Sequence, residues 1–567
     1  MTVQATEFDR ASRPAGLLVR GLAALRALWL SPAATRLVSI ALFAATIAWV
    51  LHVFRDYGIS NDEPVQHTYG QLLWAWYESG FTDDRAFHYI NLYLYGGLFD
   101  LIAAGLDGHV PLPTYELRHL LSATFGLVGI FGTWNLARLL AGEKTGIVAA
   151  LILVFTGMYG GAMFTHTKDV PFAAAMVWSL YFITSVARGL PGLPAWRHVA
   201  GLGVAVGCAM GLRVGGVFAV LYLMLTVGGG MMLLGGWRRL PALVGRLAVA
   251  GLIAVAIMAV SWPWSVQAPG NIFTAMGAFS NFAFDLSTLI NGVDTEIDQV
   301  PRYYMSEYLA IKLPEITLLG MVAALGFGVA GLMNKAWRRR LADHLPLVLA
   351  LAVPVVFTLI SRPPLYNGIR HFLFVIPVAT VVGSIGLAAL FRWSYGKAAG
   401  LGVGVAVVVL ALFAFDAASF IRLHPYEYVG YNQLVGGLKG ATGRFEGDYW
   451  SDSLRQAAIE LRHGVEFEAN RQDKPYTVAV CAEDPQVATY LGPKFRMVDD
   501  WDDADFFITA TNIGCDNAMP GPVYRAITRD GVALSVVIDT RAHHREMMDQ
   551  LRDEDSPDSE DTSAIDH

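Results

Sequence analysis

Charge is scarce in this sequence. Asp, Glu, Lys and Arg make up 16% of 567 residues, while 54% are hydrophobic; soluble domains run nearer about a quarter charged. The deficit is uneven. Apolar runs of spanning length recur from residue 37 to 419, whereas 420–567 has the mixed composition of a soluble chain. A membrane part followed by a tail domain is therefore expected. No basic stripe lies outside the short loops between apolar runs, so nucleic acid is not an expected partner. The net charge of -7 comes partly from the acidic end, Asp553 to Asp566, and says little about partners.

Cysteine is nearly missing too, with three in the chain. Cys208 sits in an apolar run and reads as a small core residue. Cys481 and Cys515 lie in the tail. A disulfide between them is left open, because spacing does not supply geometry. There is no HExxH and no cysteine pair at zinc spacing, so no metal site is expected, although a divalent cation is not excluded. Asp83-Asp84 could be half of one, as could any acidic turn. No Walker loop and no Gly-rich strand-to-helix turn offers a nucleotide cradle. Residues 1–36 carry Arg10, Arg13, Arg20, Arg26 and Arg36, but no small-residue cleavage site follows a short apolar core. The first span therefore reads as a retained anchor.

What is abundant is apolar sequence of the right length. A membrane helix needs roughly 20 mostly apolar residues. Candidates are 37–54, 116–139, 146–164, 170–187, 198–211, 215–236, 247–264, 314–333, 345–361, 370–391 and 399–419. The stretch 198–236 is read as two spans, with a tight turn at Gly211, Gly215 and Gly216 around Arg213. One broken helix would reverse the side of everything after it. With the N-terminus inside, the inner connections hold Arg138 and Lys144; Arg188 and Arg197; Arg238, Arg239 and Arg246; Lys335 and Arg338 to Arg340; Arg392 and Lys397, as the positive-inside bias asks. Loops 55–115 and 265–313 and the tail then lie outside. Lys168, Arg213, Lys312, Arg362 and Arg370 run against that bias. An anion bound at the outer leaflet would explain them; snorkelling at the span ends is the alternative.

The tail reads as a small α/β domain over 420–540. Residues 449–463 are expected to form an amphipathic helix and 476–484 a buried strand. A second strand is expected over 505–511, and a hairpin of 522–528 with 532–538 around Asp530-Gly531. Residues 541–567 read as a disordered acidic tail.

Four outer segments carry polar groups able to do chemistry. Asn61-Asp62-Glu63-Pro64 follows the first span, with His67 just beyond. A carboxylate there could serve as a general base or merely cap the helix 64–79, which reads as an interfacial helix rich in Leu, Trp and Tyr. His166-Thr167-Lys168-Asp169-Val170-Pro171 offers a phosphate-neutralising lysine or an ordinary cap. Ser361 to His371, with Tyr366, brings Arg370 and His371 to a helix start that favours anions. Finally, His424-Pro425-Tyr426-Glu427-Tyr428 follows the last span and reads as an interface anchor.

These segments resemble the GT-C superfamily of polytopic glycosyltransferases, in particular bacterial protein O-mannosyltransferase-like members of glycosyltransferase family 39. The residues behind the resemblance are Asp62-Glu63, Lys168 to Pro171, Gly368-Ile369-Arg370-His371-Phe372, and His424 to Tyr428, over roughly 37–435. The expected fold is an all-α polytopic membrane domain of about eleven transmembrane helices (37–419) with a small C-terminal α/β soluble domain.

The resemblance implies a polyprenyl-phosphate-linked sugar donor used at the outer face of a bacterial inner (plasma) membrane. The N-terminus would be cytoplasmic and the tail periplasmic. Asp62 would be the catalytic base with Glu63 its partner. Lys168, Arg370, His371 and Arg213 would hold the donor phosphate. His67, His166, Asp169 and Tyr366 are substrate-pocket candidates. No cofactor is implied. The acceptor stays open among lipid, glycan and protein hydroxyl, since the carbohydrate-binding modules of eukaryotic relatives are absent and the tail has no counterpart. A transporter or lipid flippase is the alternative, but it would favour internal repeats and interrupted spans meeting at mid-bilayer. A membrane scaffold displaying the tail would need no convergence of Asp62, Lys168 and Arg370.

Overall fold

The structure is a computed structural model that describes residues 31–280, 286–332, 337–467 and 474–554. The expected cytoplasmic segment up to residue 30, Lys335, and the acidic tail from 555 lie outside the described residues.

The chain is a multi-pass membrane protein. Among the described residues, nine helices are long and apolar enough to cross a membrane. In chain order the helices are α1 (Pro32–Val53), the loop helices α2 (Glu63–Glu78) and α3 (Leu98–Leu106), α4 (Thr114–Ala141), α5 (Glu143–Val154), α6 (Asp169–Gly189), α7 (Trp196–Met210), α8 (Val217–Leu234) and α9 (Leu240–Ser261). There follow α10 (Tyr304–Lys312), α11 (Glu315–Leu332), α12 (Trp337–Ser361), α13 (Val375–Lys397) and α14 (Ala399–Leu423). Ser31 caps α1 by accepting from the Ala34 amide at 3.0 Å, with Pro32 in the first turn, where a missing N–H costs nothing.

Two of the eleven expected spans are short. α5 has 12 residues and α7 has 15, about 18 and 22 Å at the usual helical rise. After α5 the chain forms a wide turn at Gly157–Gly161. There the backbone presses on Glu427, and a Cβ on Gly161 would lie 2.5 Å from the Glu427 Cβ. That close approach ends the helix before it reaches the expected residue 164.

The stretch 198–236 is two helices running in opposite directions. α7 starts at Trp196, whose ring lies under Arg246, and ends at Gly211 beside Ser261. Gly203, Gly207 and Gly211, four apart, let it pack closely along Ala250, Ala254 and Ser261. α8 returns from Val217, and near its end Gly230 sits against Leu190. The basic residues Arg188, Arg246 and Arg339 thus gather at one end of the bundle. Arg213 and the loops after α1, α5 and α12 lie at the other.

The tail forms a five-stranded sheet of order β4-β3-β5-β7-β6, in which β3 is parallel to β4 and β5 while β7 is antiparallel to its neighbours. The strands are β3 (Tyr476–Val480), β4 (Phe495–Met497), β5 (Phe506–Ala510), β6 (Val523–Arg529) and β7 (Val532–Asp539); β1 (Ser287–Ile290) and β2 (Val293–Glu296) make a separate hairpin in the 265–313 loop. The β6–β7 turn uses positive φ at Asp530 and Gly531, as a two-residue hairpin requires. Cys481 and Cys515 are joined in a disulfide.

Two expectations need correction. The amphipathic helix begins at Leu454 (α15, Leu454–Glu466), because Asp448 accepts from the amides of Asp452 and Ser453 and holds 449–453 as a buried loop. Residues 541–554 are a helix, not the start of a disordered tail. Arg541 pairs with Asp539 and His544 with Asp505, anchoring its first turn.

Tail and bundle pack as one body. Gln486 donates to the Ile59 carbonyl at 2.7 Å and the Trp450 carbonyl at 3.2 Å, and Thr165 donates to Asp452 at 2.9 Å. One continuous apolar core runs from Val50 in α1 to Val537 in β7.

Candidate active site

Asp62 and Glu63 begin α2, yet their side chains part. Neither caps the helix by a side-chain bond from Asp62. The Asp62 carboxylate stays 47% exposed and lies 3.7 Å from Arg370 Nη1. Glu63 is fully buried. It accepts from the Ser60 amide at 2.9 Å, faces His119 Nε2 at 3.2 Å, and has Arg118 Nε at 3.8 Å. Arg118 in turn donates to Asp100 at 2.9 Å. The expected catalytic partnership is therefore corrected: Glu63 is a buried latch on the turn that carries Asp62, and it has no open side toward a substrate.

Three cations converge beside Asp62. The Arg370 guanidinium is clamped between two rings, 4.5 Å from both the Tyr366 and Trp450 centroids. The Lys168 ammonium lies 4.6 Å over the Tyr95 ring, and Arg213 is ion-paired with Asp169. Burial pushes the Lys168 pKa down from its ordinary value, while Asp100 and Asp62 pull it back up. Burial and then the charges of Arg370 and Arg213 hold His371 well below the usual imidazole range, so it is neutral near pH 7. Arg370 Nε, Arg213 Nε and His371 Nδ1 are buried without a hydrogen-bond partner. Buried polar groups are normally satisfied, so two unpaired guanidinium donors and an unpaired imidazole nitrogen around one site point to an absent polar partner.

Arg213 and His371 head a cavity of about 490 Å³, and Arg370 stacks on Tyr366 in its wall. Arg213, Tyr366, His371 and Tyr95 line its polar end. Val217, Leu221 and Met224 of α8, with Phe357 of α12, continue it as an apolar trough. Met224 is 60% exposed, so the trough opens to the flank of the bundle, where lipid would lie. A polar head on an apolar trough suits an amphiphile with an anionic group.

The remaining site candidates divide. Tyr366 lies in the cavity wall and Asp169 holds Arg213. His166 lies behind the site: its Nε2 meets the Tyr449 hydroxyl at 2.8 Å, and burial first, then Arg370 and Lys312, keep it neutral. His67 is elsewhere, 4.0 Å from Asp107 and near the Tyr115 ring, so it is corrected as a pocket residue. Among the described residues, no group of three or more His, Cys, Asp or Glu gathers as metal ligands would.

Sequence reasoning did not single out Tyr95, Arg118, Tyr449 or Trp450. Arg118 and His119 could have been found, because an adjacent Arg-His pair at the start of an apolar span needs buried partners. Tyr449 and Trp450 were assigned to a helix in the soluble tail.

A family comparison bears on this geometry. Residues 118–264 match the dolichyl-phosphate-mannose-protein mannosyltransferase family. The match spans Lys168, Asp169 and Arg213 and bears out the resemblance seen in the sequence; Asp62 and Arg370 fall outside it. The chain is also similar to ArnT from Cupriavidus metallidurans bound to undecaprenyl phosphate, at 16% identity and TM-score 0.47, covering 88% of this chain and 97% of that one. It is similar to the Archaeoglobus fulgidus oligosaccharyltransferase tethered with an acceptor peptide, at 12% identity and TM-score 0.42, covering 82% and 64%. A third similar structure is the arabinofuranosyltransferase AftD from mycobacteria, at 14% identity and TM-score 0.40, covering 88% and 39%. Comparison with curated protein sequences gives no match.

Proposed function

We propose that this chain is an integral-membrane glycosyltransferase that moves a sugar from a polyprenyl-phosphate donor to an acceptor hydroxyl. The observation that carries the reading is the pair of unpaired buried nitrogens on Arg213 and His371 at the head of an apolar trough, with Arg370 stacked on its wall and the open Asp62 carboxylate beside Arg370. The matched mannosyltransferase family supports it, as its name includes a polyprenyl-phosphate sugar of this kind.

In this reading the polyprenyl chain lies along α8 and its phosphate meets Arg213, Arg370 and Lys168. Asp62 takes the proton of the acceptor hydroxyl as its oxygen attacks the anomeric carbon. The bond from that carbon to the phosphate oxygen breaks, and a single displacement inverts the carbon. The three cations stabilise the charge growing on the leaving phosphate. Neutral His371 can donate a hydrogen bond without adding charge.

The same reading puts the site on the non-cytoplasmic side of a bacterial inner membrane, with the N-terminus cytoplasmic and the tail domain periplasmic. Basic residues at the opposite end of the bundle and the Cys481–Cys515 disulfide support that sidedness.

The test is transfer by Asp62→Asn in membranes supplied with a radiolabelled polyprenyl-phosphate sugar. Loss of a general base should lower the rate by roughly 10²–10⁴-fold with expression unchanged. Wild-type transfer by this variant would remove Asp62 from the role.

A further inference from the structure

A second cleft opens at the far end of α2. It has a volume of about 310 Å³ and is bounded by Trp76, Phe81 and Phe87 on one side and Trp264 on the other. Trp76 is fixed by edge contacts to Phe81 and Phe87, with centroids 5.5 and 4.7 Å apart. Trp264 is fixed against Tyr93 at 5.1 Å. The rim carries Asp84, His88 and Gln267, all exposed. Asp83 is tied to Arg85 and Ser79 accepts the amides of Thr82 and Asp83, so the rim loop is held by its own bonds, and the exposed Asp84 lies 3.5 Å from His88 Nε2.

We propose that this cleft is a saccharide subsite holding a distal sugar of a glycan acceptor. A sugar ring presents apolar C–H faces and a belt of hydroxyls. Two indoles match the faces, and the rim carboxylate, imidazole and amide match the belt. A lipid acyl chain fits worse, since it would strip water from the Asp84–His88 pair and from the Gln267 amide and replace none of it. The position also fits. From Asp62 to Trp76 is about fourteen helical steps, roughly 21 Å at the ordinary rise. A chain of several sugars spans that gap and puts its terminal hydroxyl at Asp62. The inference rests on the transferase reading for this direction of the chain, and it narrows the acceptor to a glycan.

Binding can be read without the reaction. The full chain in lipid nanodiscs is titrated with neutral trisaccharides of mannose, glucose and galactose, followed by saturation-transfer NMR. At least one should bind in the millimolar range. Trp264→Ala should weaken it at least tenfold, and so should the surface variants Asp84→Asn and Gln267→Ala together, which leave the aromatic packing intact. Asp62→Asn should lower transfer by roughly 10²–10⁴-fold and leave this binding unchanged, which separates the two proposals. The subsite is overturned if no trisaccharide binds, or if the paired surface variants bind as wild type does. It is also overturned if an environment-sensitive dye on Phe81→Cys is quenched by brominated acyl chains, because the bilayer would then fill the cleft.

Discussion

Arginine does different work at the two ends of the helical bundle. At one end Arg188 donates to the Leu139 carbonyl, Arg246 to the Pro194 carbonyl, and Arg339 to the carbonyls of Leu190 and Arg188. These side chains close the ends of helices. At the other end Arg213 and Arg370 are more deeply buried, yet each keeps an Nε with no hydrogen-bond partner, and Arg213 lines a cavity. Composition alone would class all five as charges near span ends. The two ends differ in whether the guanidinium donors nearest them are already used by backbone carbonyls.

The largest expected effect tests the open end. Arg370→Ala should lower transfer by about 10²–10³-fold, the usual cost of losing one group that stabilises developing charge. Arg370→Lys should restore only part of that rate, since an ammonium neither stacks between Tyr366 and Trp450 nor presents a fork. Full recovery with Lys, read as initial rate at saturating donor, would mean that only charge matters there. Next comes Trp450→Ala, which frees one face of the guanidinium. Transfer per folded molecule should fall about tenfold through misplacement of Arg370, with KM for the donor rising, alongside a stability loss of about 3–5 kcal/mol because Trp450 is buried in the core.

The closed end should behave in the reverse way. Arg339→Ala should cost roughly 1 kcal/mol of stability through lost hydrogen bonds, seen as a lower unfolding temperature, with activity per folded molecule unchanged. A larger loss of activity than of stability would break the comparison.

The smallest effect is in pH. His166 and His371 are held neutral in the folded protein, while in the unfolded chain each titrates near its ordinary value of about 6.5. Above that pH both states are neutral and the histidines contribute nothing. As pH falls below it the unfolded chain binds protons that the folded one refuses, so stability drops toward the lower folded pKa values. The unfolding temperature should therefore fall from pH 7.5 to 5.5, and His371→Gln should flatten the slope.

Much of this was legible in the sequence. The Lys168, Arg213 and Arg370 set could be read because cations that oppose a membrane's orientation bias need a reason to be there. The hairpin at Asp530-Gly531 could be read because two positive-φ residues between apolar runs leave few other conformations. What could not be read was placement across long separations. Glu63 looks like half of an acidic pair until Arg118 and His119, more than fifty residues on, turn it inward. Trp450 looks like part of an amphipathic helix until Asp448 holds its segment as a loop against Arg370. The short α5 was also hidden, since its end is set by Glu427, far along the chain.

The loop 446–453 has a consequence for how the protein is made. It follows the last membrane span, and its Trp450 is one of the two rings that hold Arg370. All the spans can be inserted before this loop leaves the ribosome. Until it has docked beside Asp62 and the sheet behind it has folded, Arg370 lacks one wall. The setting of Arg370 is thus completed late in synthesis, as a step separate from membrane insertion.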